Sequence, residues 1–409
     1  MFSTRGGFFK QQIINTGSFV ASFNNTGAPG GIVTTSTGSE IYAVGIGTGA
    51  TSNISILKLD NNGNLTWQKE INGNADFGTA AAIDDSGNIF VAGYTNNSGA
   101  GLNDGYIAKV TSTGNISWQR TLGTSATDSA ISIAVASGAN ANVFLGIRNN
   151  NQSYVANYST SGTLNGYKKL DINMIQPTAM TYDTNSNVFV VGSTASNAIT
   201  ARLAASGFGN GTSTFNDNST GGTGLGYTSV ARDSTGNFYI GGIANASPIG
   251  IISKNYANGV IITCKSISNT YSINGIGTDG SNIYALGETT TNDIWYAKLY
   301  SNLAIQWQRT LSTANSCTPY GITYANNYVI IYGRSDYTGT YQQIVAKLPA
   351  DGSGQGVHGD YTISNSSFTT STFSTSYSSG NIATSTSLTG GTPTLAIANS
   401  SFTQTLTTF

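Results

Sequence analysis

The sequence has 409 residues, of which only 9% are charged, and its formal net charge is −1. This balance excludes the basic footprint of a nucleic-acid-binding protein, and no apolar run reaches the length of a membrane-spanning helix. Serine, threonine, asparagine and 51 glycines supply the polarity, which favours turns and strands over helices. We therefore expect an all-β protein with no nucleic-acid partner and no membrane insertion.

Residues 1–30 precede the first repeat and carry charge only at Arg5 and Lys10. They contain no apolar core followed by a small-residue cleavage site, so no signal peptide is predicted. A composition like that of extracellular proteins without an export signal fits a virion protein, made in the host cytoplasm and released by lysis. We expect this segment to be an N-terminal attachment arm, with Phe8 and Phe9 as assembly contacts.

Residues 31–355 contain a short apolar strand that ends in glycine and recurs seven times. The spacing of these strands is nearly constant, at about 48 residues, and they end at Gly45, Gly93, Gly146, Gly192, Gly242, Gly287 and Gly333. This period is the size of one four-stranded propeller blade. The sequence therefore predicts a seven-bladed β-propeller of four-stranded antiparallel blades, with extended N- and C-terminal arms.

The second repeat shows the four strands of a blade most clearly, and we letter them A to D in chain order. Strand A at 79–83 and strand B at 89–92 are joined by Asp84 to Asn88, and strands C and D follow at 106–110 and 116–120. Aspartate caps such turns through backbone amides, and glycine or asparagine supplies the left-handed residue. We interpret these acidic turns as hairpin caps rather than as paired catalytic carboxylates or calcium loops.

Two further positions repeat from blade to blade. Strand C carries a basic residue in six repeats: Lys58, Lys109, Arg202, Lys254, Lys298 and Lys347. Strand D carries a Trp-Gln-basic triplet that begins at Trp67, Trp118 and Trp307, and Tyr167-Lys168-Lys169 is interpreted as a decayed copy. We expect each tryptophan to cap the outer edge of its blade, with the basic stem lying along it.

Groups that perform catalysis are scarce in this chain. Its single histidine, His358, follows the last repeat, so no Ser-His-Asp triad or His-containing metal site is expected on the disc. Cys264 and Cys317 lie in different blades and are expected to be free, buried thiols. We predict no catalytic residue, no metal and no cofactor.

The loops that join strand B to C and strand D to the next A are candidates for ligand binding, because they can vary without disturbing the blades. The longest of these loops, at 94–104 and 335–341, contain Tyr94, Tyr337 and Tyr341. Tyrosine in a polar loop can stack on a sugar ring. These three side chains are the candidates for contact with a host glycan or receptor.

Residues 356–409 form a Ser/Thr-rich tail that carries no charge after residue 360. Its spaced apolar side chains include Phe368, Tyr377, Leu388 and Phe402. We expect this C-terminal arm to pair with, or thread along, neighbouring subunits, either other virion proteins or copies of the chain in a homo-oligomer. Two segments compete for strand D of the seventh blade, Gln355–Ile363 and Gly17–Asn24, and the sequence slightly favours local completion by the first.

The repeat Asp84 to Thr95, followed by Asp104 to Lys109 and Gly114 to Arg120, resembles the bacterial β-propeller repeat family over about residues 31–350. The opening Met1 to Gly7 and the stretch Ala346 to Gly354, followed by a Ser/Thr tail, resemble structural proteins of marine tailed phages. This resemblance implies a virion component and names no single role. Together with the scarcity of catalytic groups, it favours a non-enzymatic head decoration, spike or tail component. The alternatives are a receptor- or carbohydrate-binding adhesin of a phage fibre or cell surface and, more remotely, a polysaccharide lyase or hydrolase.

Overall fold

The computed structural model describes residues 17–23, 26–48, 52–72, 76–96, 102–136, 138, 141–150, 152–170, 174–183, 187–194, 198–203, 225–244, 248–256, 261–336, 341–373, 389–391, 396–399 and 404–408, the last three ranges by their backbone alone. These residues form seven antiparallel sheets and contain no helix, so none of them could span a membrane as a helix. Neighbouring innermost strands contact one another around a closed ring, in which blade seven meets blade one. The predicted seven-bladed β-propeller is confirmed.

The strands are numbered in chain order, and β1 (Phe19–Phe23) belongs to blade seven although it comes first. Blade one comprises β2 (Thr26–Thr34), β3 (Glu40–Thr48), β4 (Ser52–Asp60) and β5 (Leu65–Asn72). Blade two comprises β6 (Phe77–Ile83), β7 (Ile89–Thr95), β8 (Asp104–Val110) and β9 (Ile116–Gly123). Blade three comprises β10 (Asp128–Val135), β11 (Asn142–Asn149), β12 (Gln152–Ser159) and β13 (Leu164–Lys169).

Blade four has three strands among the described residues: β14 (Gln176–Tyr182), β15 (Val188–Ser193) and β16 (Ala198–Leu203). Blade five comprises β17 (Leu225–Arg232), β18 (Phe238–Ala244), β19 (Ile249–Asn255) and β20 (Ile261–Ile267). Blade six comprises β21 (Thr270–Thr278), β22 (Ile283–Thr289), β23 (Ile294–Leu299) and β24 (Ile305–Ser312). Blade seven comprises β25 (Cys317–Ala325), β26 (Tyr328–Ser335), β27 (Gln342–Pro349) and β1.

The apolar core lies between the blades rather than at the centre of the disc. Each strand B is buried on both faces, as expected for a strand packed between neighbouring sheets, and contributes to the clusters on its two sides. Strand A carries hydroxyl groups that join one blade to the next: Thr79 donates to the carbonyl of Ala130 at 2.6 Å, and Thr178 donates to that of Tyr227 at 2.5 Å. The ring is therefore sealed by apolar packing between the sheets and by hydrogen bonds at its centre.

The ring is closed by the N-terminal strand, so the expectation of local completion by Gln355–Ile363 is wrong. β1 pairs with β27, with Phe19 opposite Lys347, and the propeller thus begins upstream of the boundary expected at residue 31. All five residues of β1 are buried, whereas Val357 in the local segment is 76% exposed. Apolar side chains on both faces of β1 fill the clusters on either side of blade seven, which the local segment could not do.

The C-terminal tail runs around the rim of the disc and pairs with the chain's own blades. Its strands are β28 (Gly356–His358), β29 (Tyr361–Asn365), β30 (Thr370–Thr372), β31 (Thr389–Gly391), β32 (Ala396–Asn399) and β33 (Gln404–Thr408). From β29 onwards they add a further strand to blades six, five, two, one and seven, in that order, each antiparallel to the outermost strand. We call β29 to β33 the rim belt.

Candidate binding site

Two of the three tyrosines predicted to contact a ligand, Tyr94 and Tyr341, lie among the described residues. Tyr94 lies near the end of strand B of blade two, where its half-buried ring stacks on Phe77 with centroids 4.7 Å apart. Tyr341 lies at blade seven and is 58% exposed, with the Arg334 guanidinium 4.0 Å from its ring centre. Blade one separates them, and Tyr337 lies outside the described residues. Tyr94 and Tyr341 therefore do not belong to one site.

Among the predicted assembly residues, Phe368 is used within the chain. Its ring stacks on Trp295 of blade six, and its carbonyl accepts a hydrogen bond from Gln308 Nε2 at 3.0 Å. Phe8, Phe9, Tyr377, Leu388 and Phe402 lie outside the described residues. His358, which follows the last repeat, lies in the β28–β29 hairpin, with Nε2 2.9 Å from the carbonyl oxygen of Gly354.

Three of the six basic residues of strand C form ion pairs within their own blade. Lys58 pairs with Glu40 at 2.6 Å, Lys109 pairs with Asp84 at 3.0 Å, and Arg202 pairs with Asp183. Burial alone would raise the pKa of Asp84, but hydrogen bonds from Asn88 and Lys109 hold it below its usual value. The Asp84 Oδ1 atom also accepts from the backbone amide of Asn88, which confirms the predicted cap. Asp84 thus holds the turn between strands A and B of blade two in place.

The tryptophans of strand D act between blades, which the sequence analysis missed. Trp118 Nε1 donates to Thr160 O at 3.0 Å in the C–D turn of blade three, and Arg120 Nε donates to Gly162 O in the same turn. Trp307 and Arg309 of blade six make the same pair of bonds to the turn that follows strand C of blade seven. Each triplet therefore fastens its blade to the next one.

The glycine in the C–D turn of the next blade is the sequence signal for this contact between blades. An ideal Cβ on Gly162 would lie 2.6 Å from the Trp118 ring, and the φ of this residue is +85°. The proposed decayed triplet in blade three was wrong by one position, because Gly166 rather than Tyr167 takes the place of the tryptophan. The bulge between β12 and β13 also occurs between strands C and D of blades one, two, five and six, so the register is unchanged and glycine simply replaces the ring.

A cavity of about 570 Å³ opens on the opposite face to the predicted tyrosines, where blades six and seven meet. Blade seven joins strands A and B through two residues, Asn326 and Asn327, in place of the four to six residues in the other blades. Both asparagines have positive φ, which suits so tight a turn. The shorter turn covers less of the neighbouring blade, and the cavity lies beside it.

The cavity is lined by aromatic and polar side chains. The rings of Tyr284 and Tyr324 stack with centroids 5.0 Å apart and planes inclined by 10°. Asp279 and Asp351 stand at its edge, together with Lys298, whose ammonium lies 5.7 Å from the centre of the Tyr284 ring. Aromatic rings beside a few polar groups are typical of small-molecule sites. This cavity is a candidate binding site in the described part of the chain.

Other chemistry is sparse among the described residues. Cys264 and Cys317 are buried thiols outside any disulfide, as predicted, and burial raises the pKa of the Cys317 thiol to about 11. Within the described ranges, no three His, Cys, Asp or Glu side chains group as metal ligands. The buried Asp76 carboxyl beside blade two has its pKa raised to about 6 by burial, against a hydrogen bond from Thr95.

No protein-family model and no curated protein matches the sequence. Similar solved structures include Sqt1 of Chaetomium thermophilum bound to the N-terminus of ribosomal protein L10, with 12% identity, coverage of 80% of this chain and 98% of that one, and a TM-score of 0.47. The polysaccharide lyase Uly1 shares 8% identity over 78% and 90% of the two chains, with a TM-score of 0.47. The dihydro-heme d1 dehydrogenase NirN shares 12% identity over 82% and 74%, with a TM-score of 0.44. At these identities the likeness concerns the fold alone.

Proposed function

We propose that this chain is a non-enzymatic structural protein of a tailed-phage particle, a head decoration, spike or tail component that presents its disc as a rigid platform. The proposal rests on one observation: strands near both ends of the chain pair with the chain's own blades. β1 closes blade seven, and the rim belt covers the outer strands of five blades. Covered edges suit a protein held at high local concentration in a particle, because exposed strand edges invite aggregation.

The placement of the charged groups supports a role without catalysis. A general acid or base needs a pocket where it can reach a substrate within hydrogen-bonding distance. The paired carboxylates Glu40, Asp84 and Asp183 instead bind strand C cations of their own blades. Platform function requires rigid presentation of a surface, which these ion pairs and the closed ring provide.

Since the rim belt pairs within the chain, we propose that attachment to neighbouring virion proteins falls to residues 1–16, with Phe8 and Phe9 as the contacts. The test is quantitative mass spectrometry of purified particles. We expect the chain at a fixed ratio to a major head or tail protein, and loss of incorporation when both phenylalanines are changed to serine. A chain that is absent from purified particles would overturn the proposal.

A further inference from the structure

The cavity between blades six and seven has the size and composition of a ligand site. Its volume of about 570 Å³ falls within the roughly 300–1,000 Å³ range that is usual for small-molecule pockets. The Tyr324 hydroxyl lies 3.3 Å from both the Oδ1 atom and the backbone nitrogen of Asn327, which fixes the ring against the turn. One flat apolar surface thus lies beside amide groups that can donate and accept hydrogen bonds.

The charges around the cavity do not favour an anionic ligand. Hydrogen bonds from Ser353 hold the pKa of Asp351 low, and those from Asn282 outweigh burial in lowering that of Asp279. Both carboxylates are therefore ionised at neutral pH, and they balance the Lys298 ammonium and the Arg309 guanidinium, which also lowers the pKa of Asp351. The cavity thus offers no excess positive charge to phosphate, sulfate or uronate groups, while carboxylates and amides make strong hydrogen bonds to neutral hydroxyls.

Two exposed tyrosines continue this surface beyond the cavity. Tyr300 begins the C–D turn of blade six and is 53% exposed, and Tyr256 follows strand C of blade five and is 54% exposed. In an antiparallel blade the A–B and C–D turns lie on the same side, so both rings stand on the face that carries the cavity. Exposed aromatic rings on adjacent blades can each stack on one unit of an extended ligand.

We propose that this face binds a neutral oligosaccharide. One sugar ring lies in the cavity against Tyr324, with its hydroxyls bonded to Asp351 and to Asn326 or Asn327. The following units extend over Tyr300 towards Tyr256. The site differs from the loop tyrosines considered in the sequence analysis, and it does not depend on membership of a particle.

The experiment measures binding of the purified full chain to neutral oligosaccharides of glucose, galactose, mannose or N-acetylglucosamine, with sulfated and uronate oligosaccharides as charged comparisons. Calorimetry gives the affinity, and the same titration is repeated with Tyr324→Leu and Tyr182→Leu. Tyr182 is the matched control, because it pairs with Val188 in blade four as Tyr324 pairs with Val329 in blade seven. We expect Tyr324→Leu to weaken binding by about tenfold or more and Tyr182→Leu to leave it unchanged.

Two further variants keep the test decisive if Tyr324→Leu fails to fold. Asp351→Asn preserves the acceptor for Ser353 while removing a charge, and is expected to weaken binding of every neutral ligand found. Tyr300→Ser is expected to weaken a tetrasaccharide but not the matching monosaccharide. The proposal is overturned if no neutral saccharide binds, if only charged ones bind, or if Asp351→Asn and Tyr324→Leu leave binding unchanged. Because no particle is involved, any of these results leaves the proposed structural role standing.

Discussion

At several turns of this propeller, a ring from the neighbouring blade requires the residue to be glycine. In the turns that follow strand C, Gly63, Gly114, Gly162 and Gly352 each lie against the strand D aromatic of the preceding blade. In blade seven that aromatic is Phe19 of the closing strand, which packs on Gly63 of blade one. A positive φ and a close ring act on the same residue, so two independent physical reasons exclude a side chain.

The ring contact can be separated from the backbone effect by comparing two alanine substitutions. Gly162→Ala and Gly87→Ala both place a side chain at positive φ, but nothing lies within 4 Å of a Cβ on Gly87. We expect each to lose about 1 kcal/mol from the backbone and Gly162→Ala to lose a further 1–3 kcal/mol from overpacking against Trp118. Urea unfolding measures both values, and equal losses would contradict the assigned role of the ring.

Asp76 makes the stability depend on pH. Its pKa is raised to about 6 in the folded chain, so between the unfolded value of 3.8 and about 6 the folded state binds more protons. The free energy of unfolding therefore falls as pH rises through this window. We expect Asp76→Asn to raise the melting temperature at pH 7.5 and to change it little at pH 4.

Asp84 supplies a control of opposite sign for this measurement. Its folded pKa is lowered, so it contributes stability above its unfolded pKa and loses that contribution as pH falls. Asp84→Asn is expected to lower the melting temperature at pH 7.5. If Asp76→Asn instead destabilises the chain at pH 7.5, the buried carboxylate has a stabilising partner and the explanation fails.

At the junction between blades five and six, two positions differ from the repeat, and the second change compensates for the first. Thr263 of blade five occupies the strand D position of the tryptophans, opposite Lys254. The C–D turn of blade six carries Leu303 in place of glycine, buried and with a φ of +64°. The leucine therefore occupies apolar space at this junction that the ring fills at others.

This compensation predicts a rescue. Leu303→Gly removes a buried side chain and is expected to cost about 2 kcal/mol, after allowing for the relief of its backbone strain. Adding Thr263→Trp to that variant is expected to restore at least half of the loss, since it recreates the ring and glycine pair of the other junctions. Thermal unfolding of the two variants measures this, and a double variant less stable than Leu303→Gly alone would refute it.

The strands and turns of the blades differ in how well the sequence predicts them. Strands B and their turns were predictable because apolar runs, Asp caps and glycines repeat with one period. The strand D position of blade three was not, because Gly166 stands where the other blades have a ring and the neighbouring Tyr167 resembles that ring in the sequence. The cavity was missed because it results from a short turn at Asn326 and Asn327, whose effect depends on the neighbouring blade.

In the molecule as a whole, segments from both ends of the chain pair with the blades formed by the rest of it. β1 lies between β27 and β33, so the N-terminal closing strand is itself covered by the last strand of the rim belt. Pairing partners so far apart in sequence leave no local signature, and a Ser/Thr-rich tail suits its own rim as well as that of a neighbour. This is why the sequence predicted strand pairing by the tail but placed it on other subunits.

The rim belt pairs with the outer strands of its own disc. Hydrogen–deuterium exchange of the purified chain, followed by mass spectrometry at a concentration where it is monomeric, tests this most directly. We predict slowed exchange at 361–365, 370–372, 389–391, 396–399 and 404–408, the paired strands of the belt, with protection independent of dilution. Exchange of these segments at the rate of an unfolded chain in the monomer, with protection only after assembly, would contradict it.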